Sequence, residues 1–431
     1  MKGKFLTVTL VVLALSLVVA ACAPPTPEKV EVTKIVEVTK EVPVEITKEV
    51  VKEVVKEVMV TPTPAPAPKG KPIRVDVVLP LTGVYTYAFD LACKGCLMGA
   101  EETNTAGGIF GRPVYTICRD DGADPKLGVT LAHALCDDPE VVGVYGTSLS
   151  LTEVPMAPVF DECGMPNVPH AFSTLVTEPG YKAIFQPTVN SPGVGRAHAD
   201  ALYKLRDVKS VAVLHEEDPC NEQYKDGFVE RCEELGIKIT SVNPVTKDTV
   251  DFKPILTKIG AENPEAIFTA CFVPTALIVK QMRELGLKQA YAGTEIPENF
   301  YEFTKTCGEA AVGAITGGEI PPIEKHPELQ EFSKRFEARW GVKPEPTVFV
   351  HYQNYMMLLD AIKRAGSPDR KAIIKALEET DYDGLVFRVR FNPDHTLENP
   401  IMTMYEVTPD LELSADKAWR WEKATGELKP E

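Results

Sequence analysis

Short runs of apolar, β-branched residues alternate with helix-like patterns along the chain after residue 70. Residues 73–79, 141–145 and 208–215 form continuous apolar runs, which is typical of strands buried on both faces. Between such runs, apolar residues recur at spacings of three and four, which predicts helices. The alternation predicts parallel sheets covered by helices, and it occurs twice in about 360 residues, enough for two domains. We therefore predict an α/β fold of two doubly wound, Rossmann-like lobes.

The first 21 residues have the pattern of a signal peptide. Lys2 and Lys4 precede an apolar run over residues 5–19, and small residues come just before Cys22. A charged start, a short apolar core and small residues at a cleavage site are typical of secretory signals. Ala20-Ala21-Cys22 resembles a bacterial lipobox, which implies a lipidated Cys22 on the extracytoplasmic face of the cell membrane. An ordinary signal peptide with a chance cysteine is the alternative.

Residues 22–70 are predicted to be a tether of low complexity. Units of the type Val-Thr-Lys-Glu-Val repeat over residues 30–60, and a Thr-Pro and Pro-Ala run follows over residues 61–68. The Pro-rich end is typical of a semi-rigid spacer. The valines of residues 50–58 recur at helical spacing, so a short self-associating helix is the alternative to a solvated spacer.

Charge and motifs exclude several functions. The formal net charge of the 431 residues is −16, without a Lys/Arg-rich run, so nucleic acid is not an expected partner. The sequence has no G-x-S-x-G, no phosphate loop ending in Gly-Lys-Ser/Thr and no H-E-x-x-H, and its seven histidines are scattered singly. We therefore expect no catalysis, no cofactor and no metal.

The cysteines fit an exported chain without revealing their pairing. There are ten, and nine remain when Cys22 is set aside. Cys93 and Cys96 form a C-x-x-C on a predicted helix, with no second such pair and no nearby histidine cluster. Buried thiols or a disulfide are favoured there over zinc or redox chemistry.

Several short blocks occur in an order and spacing that resemble one family. They are residues 79–83 (LPLTG), 104–109 (NTAGGI), 120–125 (DDGADP), 283–287 (RELGL) and 308–313 (GEAAVG). The chain resembles the branched-chain amino acid (leucine/isoleucine/valine-type) periplasmic binding proteins, with their amide and urea relatives, from residue 72 to about residue 408. The resemblance implies a type I periplasmic binding protein that delivers a small ligand to the permease of an ABC importer.

That family implies two lobes joined by a three-strand hinge, which close on the ligand. By position, the crossovers are expected near Pro187, Thr316 and Pro400. The expected bounds are 72–187 plus 318–399 for lobe 1, and 188–317 plus 400–431 for lobe 2.

An amino-acid ligand is a zwitterion, so a closed cleft must supply partners for both of its charges. Ser150 opens a helix after a buried strand, a geometry that suits a carboxylate, and it aligns with a family hydroxyl donor. Ser173 aligns with a second group for the same carboxylate, and Glu295 with the acid that binds the ligand amine. A helix-cap role for each serine and a surface position for Glu295 are the alternatives.

The walls of the pocket are less well specified. Phe272 falls on an aromatic position of the family with Val273 beside it, while Tyr85 and Tyr87 belong to the first loop. The chain differs from the family at two positions: Phe172 stands where the family usually has a small residue, and Cys220 where it usually has an aromatic one. Because both changes reshape the pocket, an aromatic, polar or amide ligand is also compatible with the sequence.

Other classes of function remain as alternatives. The same fold serves as the ligand-sensing domain of receptors, and relatives that take an amide, urea or a small carboxylate are the other alternative. The ligand's identity and the oligomeric state are not specified by the sequence.

Overall fold

The structure is a computed structural model that describes residues 67–83, 86–246, 248–270, 275–294 and 300–431. All of these belong to the compact unit Pro64–Glu431, whereas the unit Met1–Thr63 lies outside the described residues. The predicted signal peptide, Cys22 and all but the last residues of the predicted tether therefore lie outside the described part of the chain, and they stay predictions.

The first sheet is parallel and is built from the segment between residues 73 and 168. Within that segment, β1 is central: it pairs with β2 and β3 on one side and with β4 on the other, and β4 pairs with β5. Apolar residues on both faces of β1 explain its position between two layers of helices. The elements in chain order are β1 (Ile73–Leu79), α1 (Thr86–Thr105), β2 (Val114–Tyr115), β3 (Cys118–Asp120), α2 (Pro125–Asp137), β4 (Val141–Gly146), α3 (Ser150–Cys163) and β5 (Asn167–Val168).

The chain then builds the parallel part of a second sheet. The strand order there is β10-β9-β8-β6-β7. Helices α4 and α5 pack closely, because a Cβ on Gly195 would lie 2.1 Å from the carbonyl oxygen of Tyr224. The elements are α4 (Ser191–Arg206), β6 (Ser210–Glu216), α5 (Pro219–Leu235), β7 (Lys238–Val245), α6 (Lys253–Glu262), β8 (Ala266–Ala270), α7 (Thr275–Glu284), β9 (Ala290–Gly293), α8 (Phe300–Cys307) and β10 (Ile315–Gly318).

The last part of the chain returns to each sheet in turn. Three helices and a small antiparallel hairpin complete the cover of the first sheet. Three antiparallel strands then extend the second sheet beyond β10 in the order β13, β14, β15. The elements are α9 (Pro327–Trp340), α10 (Pro346–Ala365), α11 (Arg370–Glu378), β11 (Asp381–Asp383), β12 (Arg388–Arg390), β13 (Met402–Glu406), β14 (Ala418–Glu422) and β15 (Glu427–Pro430).

Each sheet has a separate apolar core on each face. One face of the first sheet packs against α1 and α9–α11, and the other against α2 and α3. One face of the second sheet packs against α4 and α5, and the other against α6–α8. The doubly wound arrangement predicted from the sequence follows from this layering.

The described chain passes between the two sheets three times: after β5, after β10 and before β13. The predicted class, two Rossmann-like lobes with a three-strand hinge, is confirmed. The second sheet is mixed, whereas the sequence predicted parallel sheets. The exact bounds of the lobes stay a prediction.

Two disulfides lie on the first sheet's side of the molecule. Cys93 of α1 is joined to Cys118 of β3, and Cys136 of α2 to Cys163 of α3. The C-x-x-C therefore does not close on itself, and Cys96 is a buried free thiol. Among the described residues, no group of three or more histidine, cysteine or acidic side chains could hold a metal ion.

Candidate ligand-binding site

A cavity of about 710 Å³ lies between the two sheets. Its wall on the first sheet's side comes from the segments that follow β3, β4 and β5, and its other wall from the segments that follow β6 and β7. Ligands of open α/β sheets bind at the carboxyl ends of strands, so this is the expected place for a site. The described lining residues include Ser148, Ser150, Phe172, Glu216, Asp218, Cys220 and Asn221.

The loop between β4 and α3 forms the centre of the first wall. Gly146 ends β4 with φ 103°, and a Cβ there would lie 2.0 Å from the carbonyl oxygen of Val78 in β1. Only glycine fits such a close approach of two backbones. The chain turns at this point, so that Ser148, Leu149 and Ser150 line the cavity.

Two buried carboxyl groups hold this loop from behind. Asp121 accepts hydrogen bonds from the hydroxyl of Thr147 at 2.5 Å and from that of Thr152 at 3.0 Å. Glu153 accepts the backbone N–H of Thr147 at 3.1 Å. Burial raises the pKa of Asp121 and raises that of Glu153 well above its usual range. The loop is therefore fixed before any ligand arrives.

Ser150 and Ser173, both predicted ligand-binding residues, contact each other. The Ser173 N–H donates to Ser150 Oγ at 3.0 Å, and both side chains are buried. Ser173 Oγ accepts the N–H of Leu175 and caps a short 3-10 helix, the role that the sequence left open for it. Ser150 lines the cavity, and no side chain caps α3, whose N-cap is Leu149.

Phe172 and Cys220 meet at the same cavity from opposite walls. Phe172 is 7% exposed, and its ring centroid lies 6.2 Å from that of Tyr224 in α5. Cys220 lies at the start of α5, 8% exposed, with its Sγ 3.3 Å from the hydroxyl oxygen of Ser191. The bulky residue on one wall and the small residue on the other are therefore both part of the cavity lining.

Tyr87 lies away from the described lining. Its side chain is 40% exposed, and its ring stacks on that of Tyr301 in α8, with the centroids 5.7 Å apart. The contact joins α1 of the first sheet to a helix of the second. The four other predicted ligand residues lie outside the described residues: Tyr85, Phe272, Val273 and Glu295.

The described strand that precedes Glu295 is held firmly. The carbonyl oxygen of Gly293, the last residue of β9, accepts the hydroxyl of Thr316 at 2.9 Å. Nε2 of His198 lies 3.1 Å from the same oxygen, and its Nδ1 lies 2.8 Å from the carbonyl oxygen of Val194. Burial lowers the pKa of His198 to about 4, so the ring is neutral at physiological pH.

Sequence reasoning missed several residues at the two walls. Glu216 ends β6 and is buried at the cavity, and Asp218 caps α5 by accepting the N–H groups of Cys220 and Asn221. The signal that could have found them is their place directly after a buried strand. Gln223 joins the walls, because its side-chain amide exchanges two hydrogen bonds with Thr174, 2.9 and 3.0 Å long.

A chain of buried polar groups extends from the first wall to the crossovers. Ser148 Oγ lies 3.4 Å from His351 Nε2, and the His351 ring centroid lies 4.9 Å from that of His170. His170 Nε2 in turn lies 2.8 Å from Glu319 Oε2, just past β10. Burial lowers the pKa of His351 well below its usual value. A wall of the cavity is thus connected to the crossover after β10 through adjacent side chains.

None of the described helices combines the length and the apolar composition that crossing a membrane requires.

Comparison with known proteins places this geometry in one family. The model of the periplasmic binding protein family matches residues 72–412. An amino acid binding protein of Pseudomonas aeruginosa is 28% identical over 302 residues, 68% of this chain and 80% of its own length. A Leu/Ile/Val-binding protein homolog of Brucella suis is 29% identical over 312 residues, 71% of this chain and 82% of its own length.

A solved structure agrees with the fold. The branched-chain amino acid transporter substrate-binding protein LivJ of Streptococcus pneumoniae, solved with isoleucine, has a TM-score of 0.74 to this chain at 18% identity. The match covers 82% of this chain and all of LivJ. The family model spans the first sheet, the parallel part of the second sheet and the cavity between them. The chain therefore belongs to the periplasmic binding proteins, a family of extracytoplasmic solute-binding proteins rather than enzymes.

Proposed function

We propose that this chain is the lipid-anchored solute-binding protein of an ABC importer, and that it binds an amino acid in the cavity between its sheets and delivers it to the permease. The observation that carries the proposal is the position of Ser150, which lines that cavity at the N-terminus of α3. The N-cap residue there is Leu149, whose side chain makes no capping hydrogen bond. The names of the relatives, amino acid binding and Leu/Ile/Val-binding proteins, support the same class of ligand.

The carboxylate of the ligand binds at the first wall. Backbone N–H groups of the first helical turn and the positive end of the helix dipole favour an anion there. Ser150 Oγ uses a lone pair to accept the Ser173 N–H, so its own proton remains for the ligand. The buried side chain of Phe172 lies beside this carboxylate site and shields it from water.

The ammonium of the ligand pairs with Glu295, and Tyr85, Tyr87, Phe272 and Val273 complete the walls. This part of the proposal rests on the family alignment, together with the firmly held end of β9. A buried charge-assisted contact of this kind contributes about 1.5–3 kcal/mol.

The two lobes are residues 72–187 plus 318–399 and residues 188–317 plus 400–431. The division is supported by the separate cores of the two sheets and by the three passages of the chain between them. Closure of the lobes removes the ligand from water and strengthens its polar contacts.

Export and lipidation at Cys22, after removal of residues 1–21, complete the proposal. The two disulfides support export, because such bonds persist in oxidising compartments. A lipid on Cys22 would hold the protein at the membrane that contains its permease.

The test of the ligand class is a thermal-shift screen over the common amino acids, simple amides and small carboxylates. A ligand at ~100 times its dissociation constant raises the free energy of unfolding by about 2.7 kcal/mol. We expect stabilisation by at least one amino acid. Stabilisation by amides, urea or aromatic carboxylates alone would contradict the amino-acid assignment and favour the amide or carboxylate relatives.

A further inference from the structure

The two walls of the cavity differ in hydrogen-bonding character. The first wall offers donors: the Ser150 hydroxyl and the N–H groups of the first turn of α3. The second wall offers acceptors, and the buried ones belong to two adjacent elements, the end of β6 and the start of α5. A ligand that matches both walls must accept hydrogen bonds at one end and donate them at the other.

The second wall is rich in acceptor groups that are removed from water. The Glu216 side chain is 5% exposed at the end of β6, and Asp218 follows two residues later. Asn221 is also 5% exposed, and its Oδ1 has no hydrogen-bond partner among the described residues. Its Nδ2 donates to the Asp218 carboxylate, so the amide atom that lacks a partner is the acceptor Oδ1. A buried acceptor without a donor is destabilising.

Most of the remaining charged residues in the described lining of the cavity are acidic. Asp124, Glu217 and Asp248 line it with exposed side chains, and Lys126 is the only basic residue among the described lining residues. Carboxylates that line a cleft of low dielectric raise the local concentration of cations and oppose anions. The field across the second wall therefore favours a positively charged group.

We propose that the ligand is a basic amino acid, whose side-chain ammonium or guanidinium lies against the wall formed by Glu216, Asp218 and Asn221. The proposal rests on the proposed function for the carboxylate and the α-ammonium of the ligand, and it adds the class of its side chain. A neutral aliphatic side chain at this wall would leave the Asn221 oxygen without a donor.

Binding of lysine, arginine, norleucine and leucine to the purified protein tests this by calorimetry. Norleucine is lysine with the side-chain ammonium replaced by hydrogen, so the pair isolates the charge. We expect lysine or arginine to bind at least about tenfold more tightly than norleucine. Glu216→Gln should remove most of that preference, while Glu233→Gln, an exposed acid of α5 outside the cavity, should preserve it.

The salt dependence of the wild-type protein gives a second measurement that needs no variant. Lysine affinity should fall as the ionic strength rises, and it should fall more than norleucine affinity does. If leucine or norleucine binds as tightly as lysine and arginine, the inference is overturned and the amino-acid function stands. If none of the four binds, this inference is overturned, while the amino-acid function is decided by the thermal-shift screen over all the common amino acids.

Discussion

His170 and Glu319 meet across a separation of 149 residues, with Nε2 of the imidazole 2.8 Å from Oε2 of the carboxyl group and both side chains 4% exposed. The second oxygen of Glu319 accepts the hydroxyl of Thr188 at 2.7 Å and the N–H of Val189 at 2.9 Å. Glu319 follows β10 and Thr188 follows the first sheet's last strand, so one carboxyl group connects two of the three crossovers.

We predict that Glu319→Gln lowers the free energy of unfolding by about 1–3 kcal/mol, because the amide cannot accept at both ends and leaves a buried donor unpaired. Urea unfolding measures the change. Glu331→Gln, an exposed acid of α9, is the matched control and should stay within about 0.5 kcal/mol of wild type. Equal effects of the two variants would show that the contact is not important for stability.

The two ends of the bound ligand should respond differently to substitution. Glu295→Gln should weaken an amine-bearing ligand by about 2–5 kcal/mol, the range for removing one partner of a buried charge pair. Ser150→Ala should weaken it by about 1–2 kcal/mol, since backbone N–H groups remain. Calorimetry with the identified ligand gives the order of the two effects. Unchanged binding by Glu295→Gln would mean that the residue is a surface acid or that the ligand has no amine.

Ser150→Ala should also affect the folded state, because the buried N–H of Ser173 loses its acceptor. Unfolding of both variants without ligand therefore accompanies the binding measurements, and it separates loss of a ligand contact from loss of the local structure.

Closure should depend on the paired hydrogen bonds between Gln223 and Thr174. Gln223→Ala removes both, each contributing about 0.5–1.5 kcal/mol, so the ligand should dissociate faster. Stopped-flow measurement of the dissociation rate tests this, and small-angle scattering should show less compaction at saturation. Glu233→Ala, at an exposed position of the same helix, should behave as wild type. Identical dissociation rates in the two variants would contradict a role in closure.

Glu153 should make the stability fall as the pH rises. Burial raises its pKa well above the usual range, so the folded chain keeps a proton that the unfolded chain releases near pH ~4.3. The unfolded state then binds fewer protons, and the free energy of unfolding decreases with pH from that value until the folded carboxyl group ionises. Glu153→Gln lacks this titration, so its free energy of unfolding should increase relative to that of wild type as the pH rises from 4 to 8.

Unfolding at a series of pH values measures the difference between wild type and Glu153→Gln. The free energy of unfolding of wild type is subtracted from that of the variant, because His198 titrates in both proteins and its contribution then cancels. With its pKa lowered to about 4, His198 has the opposite effect and reduces the stability as the pH falls through 6.5. Glu162→Gln, an exposed acid on the same helix, is the control. A wild-type curve parallel to that of Glu153→Gln would contradict the raised pKa.

Anchoring should depend on Cys22. Cys22→Ser should leave the precursor unprocessed or release the protein from the membrane fraction, because the lipid acceptor is lost. Cell fractionation and mass spectrometry of the mature N-terminus make the measurement. Cys96→Ser, which changes a buried thiol of α1, controls for loss of a cysteine as such. A soluble, unlipidated wild-type protein would contradict the anchor.

The fold could be predicted from the sequence where local pattern determines structure. The apolar run of β1 and the helix after it identify a doubly wound sheet, because strands buried on both faces have few polar positions. The strands β13–β15 were missed. β13 is a short buried strand, and β14 and β15, near the edge of the sheet, contain exposed polar residues that resemble loop sequence. Their position depends on pairing with β10, which is distant in sequence.

The site was predictable only at the ends of strands. Ser150 could be found because it follows a buried strand and opens a helix. Partners far apart in the chain, such as His170 and Glu319 or Thr174 and Gln223, leave no local signal, since each residue alone is compatible with the surface. The link from Cys93 to Cys118 was equally hidden, because the nearer Cys96 offered a plausible partner.

The positions of the disulfides bear on how the chain would fold after export. Both bonds join cysteines between residues 93 and 163, the free thiol of Cys96 lies within the same stretch, and the thiols of Cys232 and Cys307 come later. A chain threaded outward from its N-terminus would therefore present all four bonded cysteines before either of those competitors emerges. The order of emergence limits mispairing with Cys232 and Cys307, and Cys96 is left as the early competitor. Native crosslinks can then form while helices α9–α11 are still on the other side of the membrane.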